Sequence, residues 1–523
     1  MTFTCRTILV AAGFSLSLFG TVGYGQAPEL GTIQFSTSGA TAAQPAFIEG
    51  VKDLHSFEFD EAAEAFRRAQ QADTGFAMAY WGEAMSYNHP LWAQVDVDAA
   101  KKALSRLAPT LEGRLAKAKQ PREKAYLSAV EQLFYAPGDK LARDKAYSQA
   151  MAQMYAQWPD DHEVATFYAL SLLGTLRPGD KGFRRQALAA SIVEKVFRDN
   201  PNHPGAAHFI IHSFDDPDHA PLGLTAARAY AKIAPSAPHA LHMPSHIFVQ
   251  LGMWEDVATS NTVAYEAAKK LIARMHLAEG REDFHTLSWL EYANLMMGKF
   301  DAAKKNVELA KDAAARNSGN GMIRDGALAM QARYILETGQ WEKISLDAPA
   351  ATSTAEHAAM PGMPAMAPTG GRYGGGTWTF IAGFSAAKLG DAEAAEKAAA
   401  QLRAAAEQSE TAGNAYAAKH PAILAKEVAA VAAWARSQKD DAVRLAREAA
   451  DIELTMDAPS GPPDPIKPAV ELYADLLLEA GRAKEAAATY EQQLLRTPNR
   501  TPSVKGLARA KERAGMTTTS ASR

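Results

Sequence analysis

Two pairs of histidines have the spacing of metal ligands. His208 and His212 are four residues apart, and so are His242 and His246. Side chains at i and i+4 lie on one face of a helix, and neutral imidazole binds zinc, copper, iron and nickel. The zinc motif His-Glu-x-x-His uses the same spacing, but its glutamate is absent from both pairs.

The second pair follows the first by 34 residues, and seven of the fourteen histidines lie between His203 and His246. On stacked repeat helices the four paired imidazoles would point the same way, so we predict that they share one ion of copper, zinc or iron. A water on that ion would need a separate base, such as Glu83 or Asp215. Two alternatives stay open, a ligand groove without metal and a duplicated packing element.

Pro244 complicates the second pair. Proline lacks a backbone N–H and favours the first turn of a helix. If a helix begins at Pro244, His242 precedes it and the pair loses its helical spacing.

The residues around the histidines repeat with the same period. Matched positions are Pro201 and Pro235, Pro204 and Pro238, Ala206 and Ala240, and Phe214 and Phe248. Thirty-four residues is the length of a helix–turn–helix unit. Further units carry Leu251-Gly252-Met253-Trp254, Met297-Gly298-Lys299-Phe300, Thr338-Gly339-Gln340-Trp341 and Leu389-Gly390-Asp391, and the clearest runs through Gly481, Ala486, Tyr490 and Pro498.

With this spacing, the chain resembles the tetratricopeptide repeat family over most of residues 46–513. The segment from His242 to Phe248 also resembles one found in secreted bacterial repeat proteins. The resemblance implies an all-α fold, a tetratricopeptide-type α-solenoid of stacked helical hairpins. Strand-like alternation is missing from the sequence, which agrees with that fold.

The resemblance also implies where the histidines point. In the family, the fifth and ninth positions of the first helix line the concave groove, and the two pairs match those positions. His239 and His285 match the second position, also a groove position. Glu83 matches the ninth position and His89 follows it closely, so both are possible additional groove residues.

Composition restricts the partners. Apolar residues make up 47% of the chain and the formal net charge is −4, which argues against nucleic acid and anionic membranes. We expect a small molecule, peptide or protein in the groove. After the first 25 residues, no apolar run reaches the roughly 18 residues that a membrane span needs.

The N-terminus has the pattern of a secretory signal peptide. Arg6 precedes a mostly apolar stretch, residues 8–19, and small residues at 23 and 25 predict cleavage after Gly25. The expected location is therefore periplasmic or secreted. The only cysteine, Cys5, lies inside this segment, so the mature chain would use histidine, carboxylate or methionine ligands.

The remaining boundaries follow composition. We predict a flexible lead-in at 26–45, repeats with the histidine cluster at 46–345, a Met/Pro/Gly-rich loop at 346–376, further repeats at 377–513 and a disordered tail at 514–523. The loop carries His357, Met360, Met363 and Met366. Thioethers select Cu(I), so the loop is either a copper site or a low-complexity linker.

These patterns predict a helical-repeat binding protein with a histidine-lined metal site in its groove. Two alternatives remain, a metal-dependent enzyme acting on a small molecule or peptide and a metal-free interaction scaffold. Site geometry separates the metal-binding protein from the enzyme. A closed ligand set indicates a storage or structural metal, whereas an open position beside a carboxylate indicates catalysis.

Overall fold

The computed structural model describes residues 28–275, 283–317, 320–346 and 376–516, and this part of the chain is almost entirely helical. The helices are α1 (Gln44–His55), α2 (Phe59–Ala72), α3 (Ala77–Met85), α4 (Val97–Leu107), α5 (Leu111–Lys117), α6 (Pro121–Phe134), α7 (Lys140–Gln157), α8 (His162–Leu173), α9 (Arg184–Asp199), α10 (Pro204–Ser213), α11 (Ala220–Ile233), α12 (Pro238–His242), α13 (Pro244–Gln250), α14 (Trp254–Met275), α15 (Phe284–Met296), α16 (Phe300–Arg316), α17 (Gly321–Thr338), α18 (Thr377–Lys388), α19 (Ala392–Thr411), α20 (Ala415–Ala435), α21 (Lys439–Glu453), α22 (Ala469–Glu479), α23 (Ala483–Arg496) and α24 (Thr501–Arg513).

Other regular structure in the described residues is short. Two 3-10 turns, Thr41–Ala43 and Pro90–Trp92, accompany one antiparallel pair, β1 (Asn88–His89) and β2 (Gln94–Val95). The predicted all-α fold is therefore confirmed. In the second block of repeats, α18 begins at Thr377 and α24 ends at Arg513.

Successive helices pack as hairpins, and the hairpins stack into a solenoid. α10 begins at Pro204 and α12 at Pro238, which reproduces the 34-residue period of the sequence. Proline suits the first position of a helix because the N–H it lacks would have no intrahelical partner there. Within hairpins, Gly252, Gly298 and Gly481 take left-handed φ angles of 66°, 72° and 81°, and such a residue ends a helix at little steric cost.

Helices α12 and α13 form one nearly continuous helix. Met243 between them has φ −54° and ψ −34°, which are helical values. Pro244 removes one N–H from the ladder, and the N–H of His246 donates instead to the Met243 carbonyl at 3.1 Å. His242 and His246 therefore keep the helical spacing despite Pro244.

Part of the predicted flexible lead-in is instead packed. In residues 28–40, the side chains of Leu30 and Phe35 are only 2% and 3% exposed. The Phe35 ring lies 5.3 Å from that of Phe47 and 5.4 Å from that of Tyr126. Composition suggested flexibility, but a few apolar side chains in extended backbone suffice to anchor the segment across the first hairpins.

The C-terminal repeats contact the histidine-bearing ones. Asn499 donates to the Leu251 carbonyl at 2.9 Å, and Thr501 donates to the Met296 carbonyl at 2.7 Å. Arg500 between them is buried and pairs with Glu471 at 2.8 Å and with Glu337 at 2.6 Å. The helix α17 and the last hairpin are thus fastened through one buried guanidinium.

Among the described residues, none of the helices combines the length and the apolar character required to cross a membrane.

Candidate metal centre

The structure corrects the prediction of one four-histidine site. The four paired histidines divide between two sets, and a further histidine completes each set. The first set is His208, His212 and His239, and the second set is His242, His246 and His285; within each, the candidate ligand atoms lie within 4.8 Å of one another. The reason is that each pair turns toward a histidine of the next repeat's first helix rather than toward the other pair.

Helix geometry positions both sets in the same way. In the first set, a pair on α10 meets one residue from α12. In the second set, a pair on the α12–α13 helix meets one residue from α15. Three consecutive first helices thus supply all six side chains.

In the second set, three Nε2 atoms converge. Nε2 of His242 lies 3.2 Å from Nε2 of His246 and 3.1 Å from Nε2 of His285. Tetrahedral ligands at zinc–nitrogen bonds of 2.0–2.1 Å stand about 3.3–3.4 Å apart. Nε2 of His242 therefore already has, from each of the other two nitrogens, nearly the separation of ligands on one ion.

Hydrogen bonds at the Nδ1 atoms of His242 and His246 leave the lone pairs of these rings on Nε2, where the three histidines meet. Nδ1 of His242 lies 2.7 Å from Oδ1 of Asn261, and the Asn261 amide is oriented by its donation to the Val257 carbonyl at 2.8 Å. Nδ1 of His246 donates to Asp215 at 2.6 Å. In a neutral imidazole the proton then sits on Nδ1, so Nε2 presents a lone pair. Such acceptors are the usual outer-shell partners of metal-bound histidine.

In the first set, too, an Nδ1 proton is donated to an acceptor outside the set. Nδ1 of His208 donates to the carbonyl of His55 at 2.7 Å. The Nε2 atoms of His208, His212 and His239 are all buried, and none has a hydrogen-bond partner among the described residues. An unpaired buried polar atom costs about 1–3 kcal/mol, and here three such atoms belong to one histidine set.

Burial keeps these imidazoles uncharged. It lowers the pKa of His208, His212 and His239 well below the usual 6.5, and repulsion between the histidines lowers it further. Burial also lowers the pKa of His242. Neutral imidazole is the form that binds metal, so burial favours the metal-binding form of these four histidines.

Phe57 covers the first set from a strained backbone position. Its φ is +58°. The Phe57 N–H donates to the Leu54 carbonyl, and in the equivalent turn of a later hairpin the Gly252 N–H donates to the Val249 carbonyl. A bulky residue in this conformation is a genuine outlier. The Phe57 ring lies 4.4 Å from the ring of His208, and strain of this kind is typical of functional sites.

Trp289 covers the second set as Phe57 covers the first. Its ring lies 4.5 Å from that of His246 and 5.0 Å from that of His242. The connector at 458–466 lies against this tryptophan, because a Cβ on Gly461 would fall 2.4 Å from the indole. Gln250 fixes the same connector by donating to the Pro459 carbonyl at 2.9 Å.

A third group, His55, Glu163 and His203, is fully buried but has the wrong proton positions for a metal. Nδ1 of His203 accepts the N–H of Ala206 at 3.1 Å, so its proton sits on Nε2 and is donated to Glu163 at 3.1 Å. A protonated Nε2 has no lone pair to offer. Glu163 also accepts from His55 at 2.7 Å, and we interpret the group as an internal hydrogen-bond network that supports the first set.

The other predicted residues lie apart from the two sets. Glu83 is held by Arg106 and by Gln70, which donates at 2.6 Å. His89 stacks on Phe59 at 4.0 Å between ring centres and bonds the Ser86 carbonyl. Asp215 is near the metal centre, but it contacts His246 rather than the shared space. The proposed copper loop of His357, Met360, Met363 and Met366 lies outside the described residues.

The residues that support the two sets were not among those predicted from the sequence. Phe57 could have been found, because it occupies the position where other hairpins have glycine. No signal in the sequence marks Asn261 or the His55 carbonyl as hydrogen-bond acceptors, since both meet the histidines only through helix packing.

No family profile and no curated protein matches this chain. Several solved structures resemble it. Yeast Tom70 shares 11% identity over 89% of this chain and 87% of that one, with a TM-score of 0.32. A human IFIT1 dimer with m7Gppp-AAAA shares 13% over 92% and 96%, with a TM-score of 0.34. A Pyrococcus horikoshii signal transduction ATPase with a tetratricopeptide repeat sensor shares 11% over 92% and 86%, with a TM-score of 0.31.

These similar structures are tetratricopeptide-repeat proteins. This chain is an α-solenoid with the same kind of unit, as its own 34-residue spacing of helices shows.

Proposed function

We propose that this protein binds two transition-metal ions, one in each three-histidine set. One observation carries the proposal: in the second set, Nε2 of His242 lies 3.2 Å from Nε2 of His246 and 3.1 Å from Nε2 of His285, while acceptors take the Nδ1 protons of His242 and His246. Without a cation or a shared proton, these facing lone pairs repel one another.

The ligand sets favour copper, zinc or iron over calcium or magnesium. Each set consists of imidazoles alone, whereas magnesium and calcium require oxygen ligands. Three protein ligands also leave an open position on a tetrahedral ion, as in catalytic sites. The ions are therefore available to bind an external ligand, and the centre supports the enzyme alternative as well as storage.

Metal analysis of protein purified without a histidine tag tests this function. We expect two ions per chain in the wild type and one per chain when the first set is removed by His208→Ala/His239→Ala. The control is His162→Ala, which alters a partly exposed histidine outside both sets. If the metal-free wild-type protein bound no copper, zinc or iron at micromolar concentrations, only the metal-free scaffold would remain as a function.

We also propose that the chain is exported to the periplasm or secreted. The support is the charged and apolar pattern of residues 6–19 and the small residues before position 26. Intact-mass measurement should find a mature chain beginning near Gln26, whereas a retained Met1 in the cell would contradict export.

A further inference from the structure

The two histidine sets are neighbours. The ring centres of His212 and His246, one from each set, are 5.8 Å apart, and those of His239 and His242 are 6.2 Å apart. His239 and His242 also lie on the same short helix, α12, which ties the sets together. Ions held by the two sets would therefore lie side by side, as in two-metal sites.

Charge distinguishes among the metals. All six ligands are imidazoles, which bring no negative charge, and the carboxylates near them are those of Asp215, Asp283 and Glu58. Two divalent ions would place four positive charges in this partly buried space, more than these carboxylates offset, and an uncompensated buried charge is costly. Two Cu(I) ions place only two charges there. An all-imidazole pair therefore favours the reduced copper state until an anion arrives between the ions.

We propose that the two sets together hold a dicopper centre that binds dioxygen between the two ions. The inference rests on the proposed metal binding and adds the identity of the metal and of the ligand. Each Cu(I) gives one electron and becomes Cu(II). Dioxygen accepts both electrons, its O–O bond order falls from two to one, and copper–oxygen bonds form. No proton moves, and the two negative charges of the resulting peroxide offset the two positive charges gained by the metals.

The aromatic cover suits a peroxide. Phe57 contacts the first set and Trp289 the second, and both side chains are buried, 6% and 3% exposed. Their rings limit the access of water to the bound oxygen. Protonation would release peroxide as hydrogen peroxide, so a dry cover favours reversible binding.

Spectroscopy of the copper-loaded protein tests the inference. Metal-free protein is loaded with Cu(I) under argon, its copper is counted, and air is then admitted. We expect two coppers per chain, a near-ultraviolet peroxide-to-copper band that disappears under renewed argon, and almost no electron paramagnetic resonance signal because the two Cu(II) spins couple. Full signals from two separate Cu(II) ions, or no reaction with air, would overturn the dicopper centre and leave metal binding intact.

Single-set variants sharpen the test. His242→Ala/His285→Ala should bind one copper, give no peroxide band and show an ordinary Cu(II) signal, while His162→Ala should behave as the wild type. Circular dichroism checks that each variant is folded. A peroxide band that persists with one set removed would contradict the bridging geometry. Failure of the wild type to take up any metal would instead contradict the proposed function itself.

Discussion

Nε2 of His242 faces Nε2 of His246 at 3.2 Å, although each ring has its Nδ1 proton committed to an acceptor. Two neutral imidazoles in that arrangement present lone pairs to each other. Without a shared proton that contact is unfavourable, and the metal ion that we propose for this site would replace the repulsion with two bonds.

Removal of the acceptor of His242 should weaken metal binding. Asn261→Ala leaves Nδ1 of His242 without a partner in a buried position, so the ring loses its fixed orientation. Outer-shell changes of this kind lower metal affinity about 10–100-fold. Chelator competition measures the effect, and Asn306→Ala is the control because Asn306 is a buried asparagine of the next hairpin that accepts from Asn294 at 3.0 Å. Equal affinity in the two variants would mean that Asn261 is not an outer-shell residue.

The metal-free protein should lose stability in mild acid. The folded-state pKa of His239 is lowered, chiefly by burial, so below the ordinary value of about 6.5 the unfolded chain binds a proton that the folded chain does not. The free energy of unfolding then falls with decreasing pH by up to about 1.4 kcal/mol per unit for each such histidine.

Urea unfolding at several pH values from about 7.5 downward measures this dependence. His239→Gln should flatten this slope relative to the wild type, because the variant lacks a group that binds a proton only in the unfolded chain. The same slope in both proteins would show that His239 does not titrate differently on folding.

Phe57 should reveal its backbone strain in a comparison of two substitutions. Loss of the ring destabilises both Phe57→Ala and Phe57→Gly by about 3–5 kcal/mol, the usual range for a buried phenylalanine. Because φ is +58°, glycine avoids the left-handed penalty of about 1–2 kcal/mol. Phe57→Gly should therefore be more stable than Phe57→Ala, the reverse of the order inside a helix.

The matched control is Gly298→Ala, whose new Cβ would meet nothing within 4 Å. Its cost in a urea titration should therefore come from φ alone, about 1 kcal/mol. If Phe57→Ala proved the more stable of the two Phe57 variants, the turn would not be strained.

The buried Arg500 should matter far more than an exposed arginine. Arg500→Ala leaves Glu471 and Glu337 buried without their guanidinium, and removal of one partner of a buried ion pair costs about 3–5 kcal/mol. Arg436→Ala, which breaks the exposed pair with Glu396, should cost less than about 1 kcal/mol. Thermal unfolding of the two variants compares them, and similar melting temperatures would show that Arg500 does not fasten the last hairpin.

The sequence by itself determined the repeat architecture and the residues of the centre. Helix periodicity, proline at helix starts and glycine after helix ends are local properties, so α10 and α12 begin 34 residues apart as their matching residues predict. The same register aligned His239 and His285 with the two pairs, and all six side chains meet in the structure.

Only the tertiary structure decided which of the six histidines belong to the same set. Sequence spacing gives the face of a helix but not the rotation between stacked hairpins, and that rotation directs His208 and His212 to His239 rather than to His242 and His246. It also brings the His55 carbonyl, 153 residues away, to Nδ1 of His208. Proton positions at the centre follow from such distant contacts, because an imidazole's tautomer is set by whatever acceptor packing places beside it.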